Sequence, residues 1–161
     1  MNTDQARMGK FLAFSATVTG FSEFHLLGTG QSEAYLATVT DIVGEQAMRS
    51  LLSEYERISA IAGQDREAYD SLLRTEIFFH ELLGPVVRNI IKLWYSGTWY
   101  QLPREWRAAF GAREGDRTFV VSPTAYTEGL LWRAIDANPS GAKGPGYGSW
   151  GGPPQISDHR V

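Results

Sequence analysis

A long apolar segment that follows Gly84 and Pro85 is the strongest constraint on how this chain folds. Proline inside a helix removes a backbone hydrogen bond and clashes with the preceding turn, at a cost of about 3 kcal/mol. We therefore expect a kink or a new helix here, with Pro85 in its first turn. This helix is apolar around most of its circumference, and Arg88, Asn89 and Lys92 form a narrow polar strip. Such a helix lies at the centre of a domain or under a partner protein.

Apolar residues recur at helical spacing along most of the remaining chain. The spacing predicts helices at about residues 11–19, 32–43, 48–62, 65–80, 103–110 and 122–134. Ser32 and Ser122 stand where N-caps belong, and Asp65 begins a helix. We expect a loop at residues 21–31 and one short extended segment at residues 119–121. The chain is thus predicted to be all-α, an irregular bundle of about six helices with a long extended Gly/Pro-rich C-terminal arm.

The composition changes at residue 136. Residues 136–161 contain six glycines and four prolines, so they are not expected to form regular structure or a core of their own. Tyr147 and Trp150 nevertheless lie among them, and aromatic residues in an irregular segment are typical of an arm that binds in a groove. The chain therefore divides into a helical domain, residues 1–135, and an extended C-terminal arm, residues 136–161.

A second group of aromatic residues lies at the end of the apolar helix. Four large rings within seven positions are more than one small core easily accommodates. Together with aromatic residues and prolines of the arm, they form the predicted partner-binding surface. Its members are Trp94, Tyr95, Trp99, Tyr100, Tyr147, Trp150, Pro153 and Pro154.

Composition excludes several classes of function. The net charge is -3 and the basic residues are scattered, whereas nucleic-acid binders carry a basic stripe. There is no cysteine, which rules out disulfides, thiolate nucleophiles and cysteine-ligated metals. No run of 18 apolar residues is present, so any contact with a membrane is expected to be indirect. Residues 1–10 contain no twin-arginine pair and no signal-peptide pattern.

Two incomplete motifs also argue against a site within this chain. His80 and Glu81 begin a zinc-protease helix motif, but the second histidine is replaced by Gly84, so a partly buried helical histidine is expected instead. Gly28 and Gly30 begin a dinucleotide-binding turn, but Glu33 occupies the position of its third glycine. The sequence therefore indicates no catalytic, cofactor-binding or metal-binding residue.

Residues 11–21, 90–97, 126–132 and 144–154 together resemble segments of the small subunit of bacterial membrane-bound FAD-dependent sugar and polyol dehydrogenases. Residues 90–97 are similar to the family's I-V-x-x-W-Y-x-G segment, and residues 11–21 to its opening F-L-x-L-S-x-x-L-T-G segment. Residues 126–132 fall where the family has a tyrosine followed by an apolar helix. Residues 144–154 are similar to its C-terminal signature of proline, tyrosine and tryptophan. The matches follow the family's order along the chain.

The resemblance implies a role without chemistry of its own. In that family a glucose–methanol–choline-type large subunit binds FAD and oxidises the sugar, and a cytochrome c subunit commonly accepts the electrons. The small subunit holds no cofactor. It stabilises the large subunit and escorts it, folded, into the periplasm through a twin-arginine leader.

Two departures from the family pattern affect these expectations. The twin-arginine leader is not found in residues 1–10, which leaves the escort function open and keeps the cytoplasm as an alternative to the periplasm. Gly148 stands where the family often has a cysteine. A branch related to the soluble or periplasmic enzymes that oxidise the 3-hydroxyl of glycosides is compatible with both departures.

Two other functions compete with a non-catalytic small subunit. One is a free-standing helical enzyme with a pocket around His80, Glu81 and Arg88. The other is a homo-oligomeric scaffold in which the arm binds another copy of the chain.

Overall fold

The computed structural model describes residues 3–111 and 113–139, and these residues are mainly helical. The helices are α1 (Thr3–Thr19), α2 (Glu23–Gly28), α3 (Ser32–Val43), α4 (Glu45–Ala62), α5 (Arg66–Leu72), α6 (Leu83–Ser96), α7 (Arg104–Phe110), α8 (Pro123–Thr127) and α9 (Leu130–Ala134), with a π-helical segment, Leu73–Phe78, continuing α5. Strands β1 (Thr98–Trp99) and β2 (Phe119–Val120) pair antiparallel, with Thr98 opposite Val120. The predicted all-α fold is confirmed, while the predicted C-terminal arm lies almost entirely outside the described residues.

Helix α6 is the centre of the bundle. It contacts α1, α3, α9 and the π-helical segment, and it begins two residues before Pro85. Its proline therefore lies in the first turn, as predicted, where the missing N–H costs nothing. Asn89, expected on the polar strip, is instead buried and donates its amide N–H to the Tyr100 carbonyl.

The aromatic core is built around Trp94 of α6. The Trp94 ring stacks on Phe11 of α1 at 6.1 Å between ring centroids and meets the edge of Tyr35 of α3 at 4.8 Å. None of the three is more than 1% exposed. Burial also raises the pKa of the Tyr35 phenol, so this side chain stays neutral. Three helices are thereby joined by one cluster of rings.

Some helix boundaries follow the predicted capping residues. Ser122 accepts a hydrogen bond from the Ala125 N–H at 3.0 Å, and Asp65 accepts one from the Ala68 N–H at 3.0 Å. Ser32 does not cap α3, because it lies inside the helix, and the residue before it makes no capping bond with its side chain.

The predicted loop at residues 21–31 was wrong. It contains α2, because Ser22 caps the helix through the His25 N–H and Leu26 is completely buried. The predicted helix at 122–134 is divided into α8 and α9. Gly129, between them, lies so close to α6 that a Cβ there would approach the Tyr95 carbonyl oxygen to 2.6 Å. Among the described helices, none combines the length and the apolar character needed to cross a bilayer.

Gly97 is required where α6 ends. Its backbone is left-handed, with φ of +67°, and a Cβ would lie 2.4 Å from the backbone of Ala125 in α8. The left-handed backbone favours glycine, and the close approach of α8 leaves no room for a side chain.

We predict that Gly97→Ala lowers the free energy of unfolding by about 3 kcal/mol, from backbone strain and the clash with α8 together. Gly20→Ala is the matched control, because Gly20 also has a positive φ, +76°, but open space around it. It should cost only about 1–2 kcal/mol. Urea denaturation followed by tryptophan fluorescence measures both values, and equal losses would contradict the close contact.

Candidate functional site

The structure places the two tryptophans of the predicted partner-binding surface inside the core. Trp94 and Trp99 are both 0% exposed. Tyr95 is half-buried and donates its hydroxyl to the Thr19 carbonyl at the end of α1, at 2.9 Å. Tyr100 is exposed, and the Lys92 ammonium lies 5.1 Å from its ring centre. Only Tyr100 of these four therefore presents a substantial surface to another molecule.

Trp99 is held by a buried carboxylate that the sequence pattern did not indicate. Its indole N–H donates to Asp116 Oδ1 at 3.0 Å, and the Leu102 N–H donates to the same oxygen at 3.1 Å. Asp116 is 5% exposed. A buried carboxylate needs such donors to offset its lost hydration. This residue lies between the predicted helix at 103–110 and the predicted extended segment at 119–121, and only the fold shows that it fixes Trp99.

The other predicted members of the surface belong to the C-terminal arm. Tyr147, Trp150, Pro153 and Pro154 all lie outside the described residues. Their role in partner binding stays a prediction.

His80 and Arg88, two residues of the competing enzyme hypothesis, form hydrogen bonds with backbone groups near the beginning of α6. His80 is exposed and lies between the π-helical segment and α6, not partly buried in a helix, and its Nδ1 accepts from the Leu82 N–H at 3.1 Å and the Leu83 N–H at 3.4 Å. Arg88 donates to the Phe78 carbonyl at 2.9 Å. The histidine ring therefore supplies the acceptor that the first amides of a helix lack.

The two incomplete motifs have structural explanations. A Cβ at Gly84 would lie 2.4 Å from the Phe78 carbonyl oxygen, so a second zinc-binding histidine has no room there. Gly28 ends α2 and Gly30 has a φ of +66°, whereas a dinucleotide-binding turn follows a strand. Within residues 3–111 and 113–139, no three histidine, aspartate or glutamate side chains lie close enough to share a metal ion.

A cavity of about 370 Å³ lies between α2 and the end of the described chain. Phe24 lines one side and is 81% exposed, while Leu130, Trp132 and Pro139 line the other. The Trp132 indole N–H donates to the Tyr126 carbonyl at 2.8 Å, which fixes that wall. Polar and apolar side chains thus line an open concave surface at the point where the arm begins.

Polar groups also reach this cavity. His25 lines it, and its Nδ1 lies 3.0 Å from the Ser22 hydroxyl. The other polar residues of the lining are Thr29, Thr127, Glu128, Arg133, Asp136 and Asn138. Sequence reasoning missed this site because the pattern predicts a loop at residues 21–31. The available signal was Ser22, which has the residue type and the position of an N-cap.

Comparisons of the chain with protein-family models, with curated proteins and with solved structures found no match.

We predict that His80→Ala lowers the free energy of unfolding by about 1 kcal/mol, the usual cost of losing a helix cap. His80→Asp should retain most of the stability, because aspartate is a favoured acceptor at this end of a helix. Thermal or urea unfolding of the two variants tests this role. A stable His80→Ala protein that loses turnover of a substrate would instead support the free-standing enzyme.

Proposed function

We propose that this chain is a non-catalytic small subunit that stabilises an FAD-dependent sugar or polyol dehydrogenase. In this proposal the glucose–methanol–choline-type large subunit holds the FAD and the sugar. A cytochrome c subunit accepts the electrons, and the complex works in the periplasm. The resemblance of residues 11–21, 90–97, 126–132 and 144–154 to that family supports the assignment.

One structural observation carries the proposal. Two apolar side chains of α2 remain in contact with solvent: Phe24 is 81% exposed and Leu27 is 55% exposed. Exposed apolar side chains that form a contiguous patch are typical of surfaces that bind another protein. Exposed apolar side chains and an arm that contains aromatic residues are what we expect of a subunit that binds a larger protein.

The competing hypotheses receive less support. His80 and Arg88 bind backbone atoms near the start of α6, which gives them a role in stability. A homo-oligomeric scaffold requires the chain to associate with itself, and light scattering of the chain alone at several concentrations tests that directly.

We predict that the flavoprotein large subunit encoded beside this chain depends on it for solubility. The flavoprotein is expressed with and without the chain, and the soluble fraction is measured by flavin absorbance. A tag on the small chain should retain the flavoprotein during purification. A flavoprotein that is equally soluble and active alone, and that does not co-purify, would contradict the proposal.

A further inference from the structure

Four buried side-chain atoms in the described part of the chain have no hydrogen-bonding partner. One is Arg107 Nε on α7, and the other three are Ser15 Oγ on α1, Ser32 Oγ on α3 and Trp94 Nε1 on α6. Ser15 and Trp94 are both 0% exposed, and Ser32 is 7% exposed. Buried polar groups are nearly always hydrogen-bonded, because they have lost their hydration. Three such atoms on three helices that contact one another therefore require an explanation.

Ser15 lies beside the end of α6. One turn before it, the Phe11 ring stacks on Trp94, and one turn after it, the Thr19 carbonyl accepts from the Tyr95 hydroxyl. Residues four apart lie on the same face of a helix. The Ser15 side chain therefore faces the end of α6, near Trp94 and Tyr95.

Ser32 belongs to the third helix that contacts the Trp94 ring. One turn further along α3, the Tyr35 ring meets Trp94 edge-to-face at 4.8 Å between ring centroids. Side chains in a helix lean towards its N-terminus. The contact between Tyr35 and Trp94 is therefore placed over the turn that contains Ser32.

A second link holds the start of α3 near the end of α6. The Ser122 hydroxyl donates to Gln31 Oε1 at 3.2 Å, and the neighbouring Val121 N–H donates to the Gly97 carbonyl at 3.0 Å. Both serine hydroxyls and the indole N–H thus converge on the end of α6. We name these three groups the serine–tryptophan cluster.

The surroundings of this cluster favour a small neutral ligand. Asp116 is the single charged residue among the buried residues that the structure describes, and its carboxylate already accepts from Trp99 and Leu102. An ion bound in the cluster would therefore have no buried counter-charge. Water carries no net charge, and it can accept from an indole N–H and bond to two hydroxyls. Buried waters typically make about three hydrogen bonds of this kind.

We propose that one ordered water molecule is bound in the serine–tryptophan cluster. It accepts a hydrogen bond from Trp94 Nε1 and forms hydrogen bonds with the Ser15 and Ser32 hydroxyls. This water connects α1, α3 and α6 through polar contacts at the point where the aromatic rings connect them through packing. It is a structural ligand of the core, and its presence does not depend on the proposed function.

A crystal structure of the full chain, at a resolution that defines ordered water, tests this inference. The expected result is a water peak about 3 Å from Trp94 Nε1 and from both serine oxygens. A direct hydrogen bond from Nε1 to either serine oxygen would overturn the inference. A cluster without a water peak would overturn it as well.

Nuclear Overhauser measurements between water and the indole protons of the isotope-labelled chain provide a test in solution. Trp99 is the matched control, because its indole is also 0% exposed but its N–H donates to Asp116. Trp94→Phe identifies the Trp94 signal, since it removes that N–H. The Trp94 indole proton should show a cross-peak at the water frequency, whereas Trp99 should show none. Equal behaviour of the two indoles would contradict a water bound at Trp94.

Discussion

The packing of Trp94 against Phe11 and Tyr35 is the interaction on which the rest of the structure depends. These rings bring α1 and α3 onto α6 and exclude bulk water from the middle of the bundle. Aromatic side chains bury more apolar area than other residues and prefer offset or edge-to-face arrangements. The orientation of three helices is therefore set by one cluster, and the remaining elements pack around it.

Both ends of α6 are fixed by close contacts that leave little room for larger side chains. At its start, the His80 ring accepts hydrogen bonds from the Leu82 and Leu83 N–H groups. Gly84 has no side chain, so the Phe78 carbonyl can lie close to the helix. At its end, Tyr95 reaches α1, and Gly97 lets α8 pack against the turn. The segment that resembles the family's tryptophan–tyrosine–glycine motif thus has a structural role within this chain. In the proposed function, the partner therefore binds outside the Trp94 cluster.

The sequence pattern predicted the features that depend on local chemistry. The spacing of apolar residues located the long helices, and Ser122 and Asp65 marked helix starts because capping is local. Features set by distant residues were not predictable. The Trp99 indole is fixed by a hydrogen bond to the distant Asp116, and the last helix divides where Gly129 meets α6. Helix α2 was missed because six residues carry too weak a periodic signal. The exposed site beside it was therefore missed as well.

Hydrogen–deuterium exchange of the chain, free and bound to the flavoprotein, tests the central claim most directly. The claim is that the Trp94 cluster is complete within this chain and that the partner binds elsewhere. Amides of α6 should exchange slowly in the free chain and remain unchanged on binding, whereas those of α2 and of residues 130–139 should become slower. Amides of α6 that exchange rapidly in the free chain, and are protected only by the flavoprotein, would show that the partner completes the core and would contradict this account.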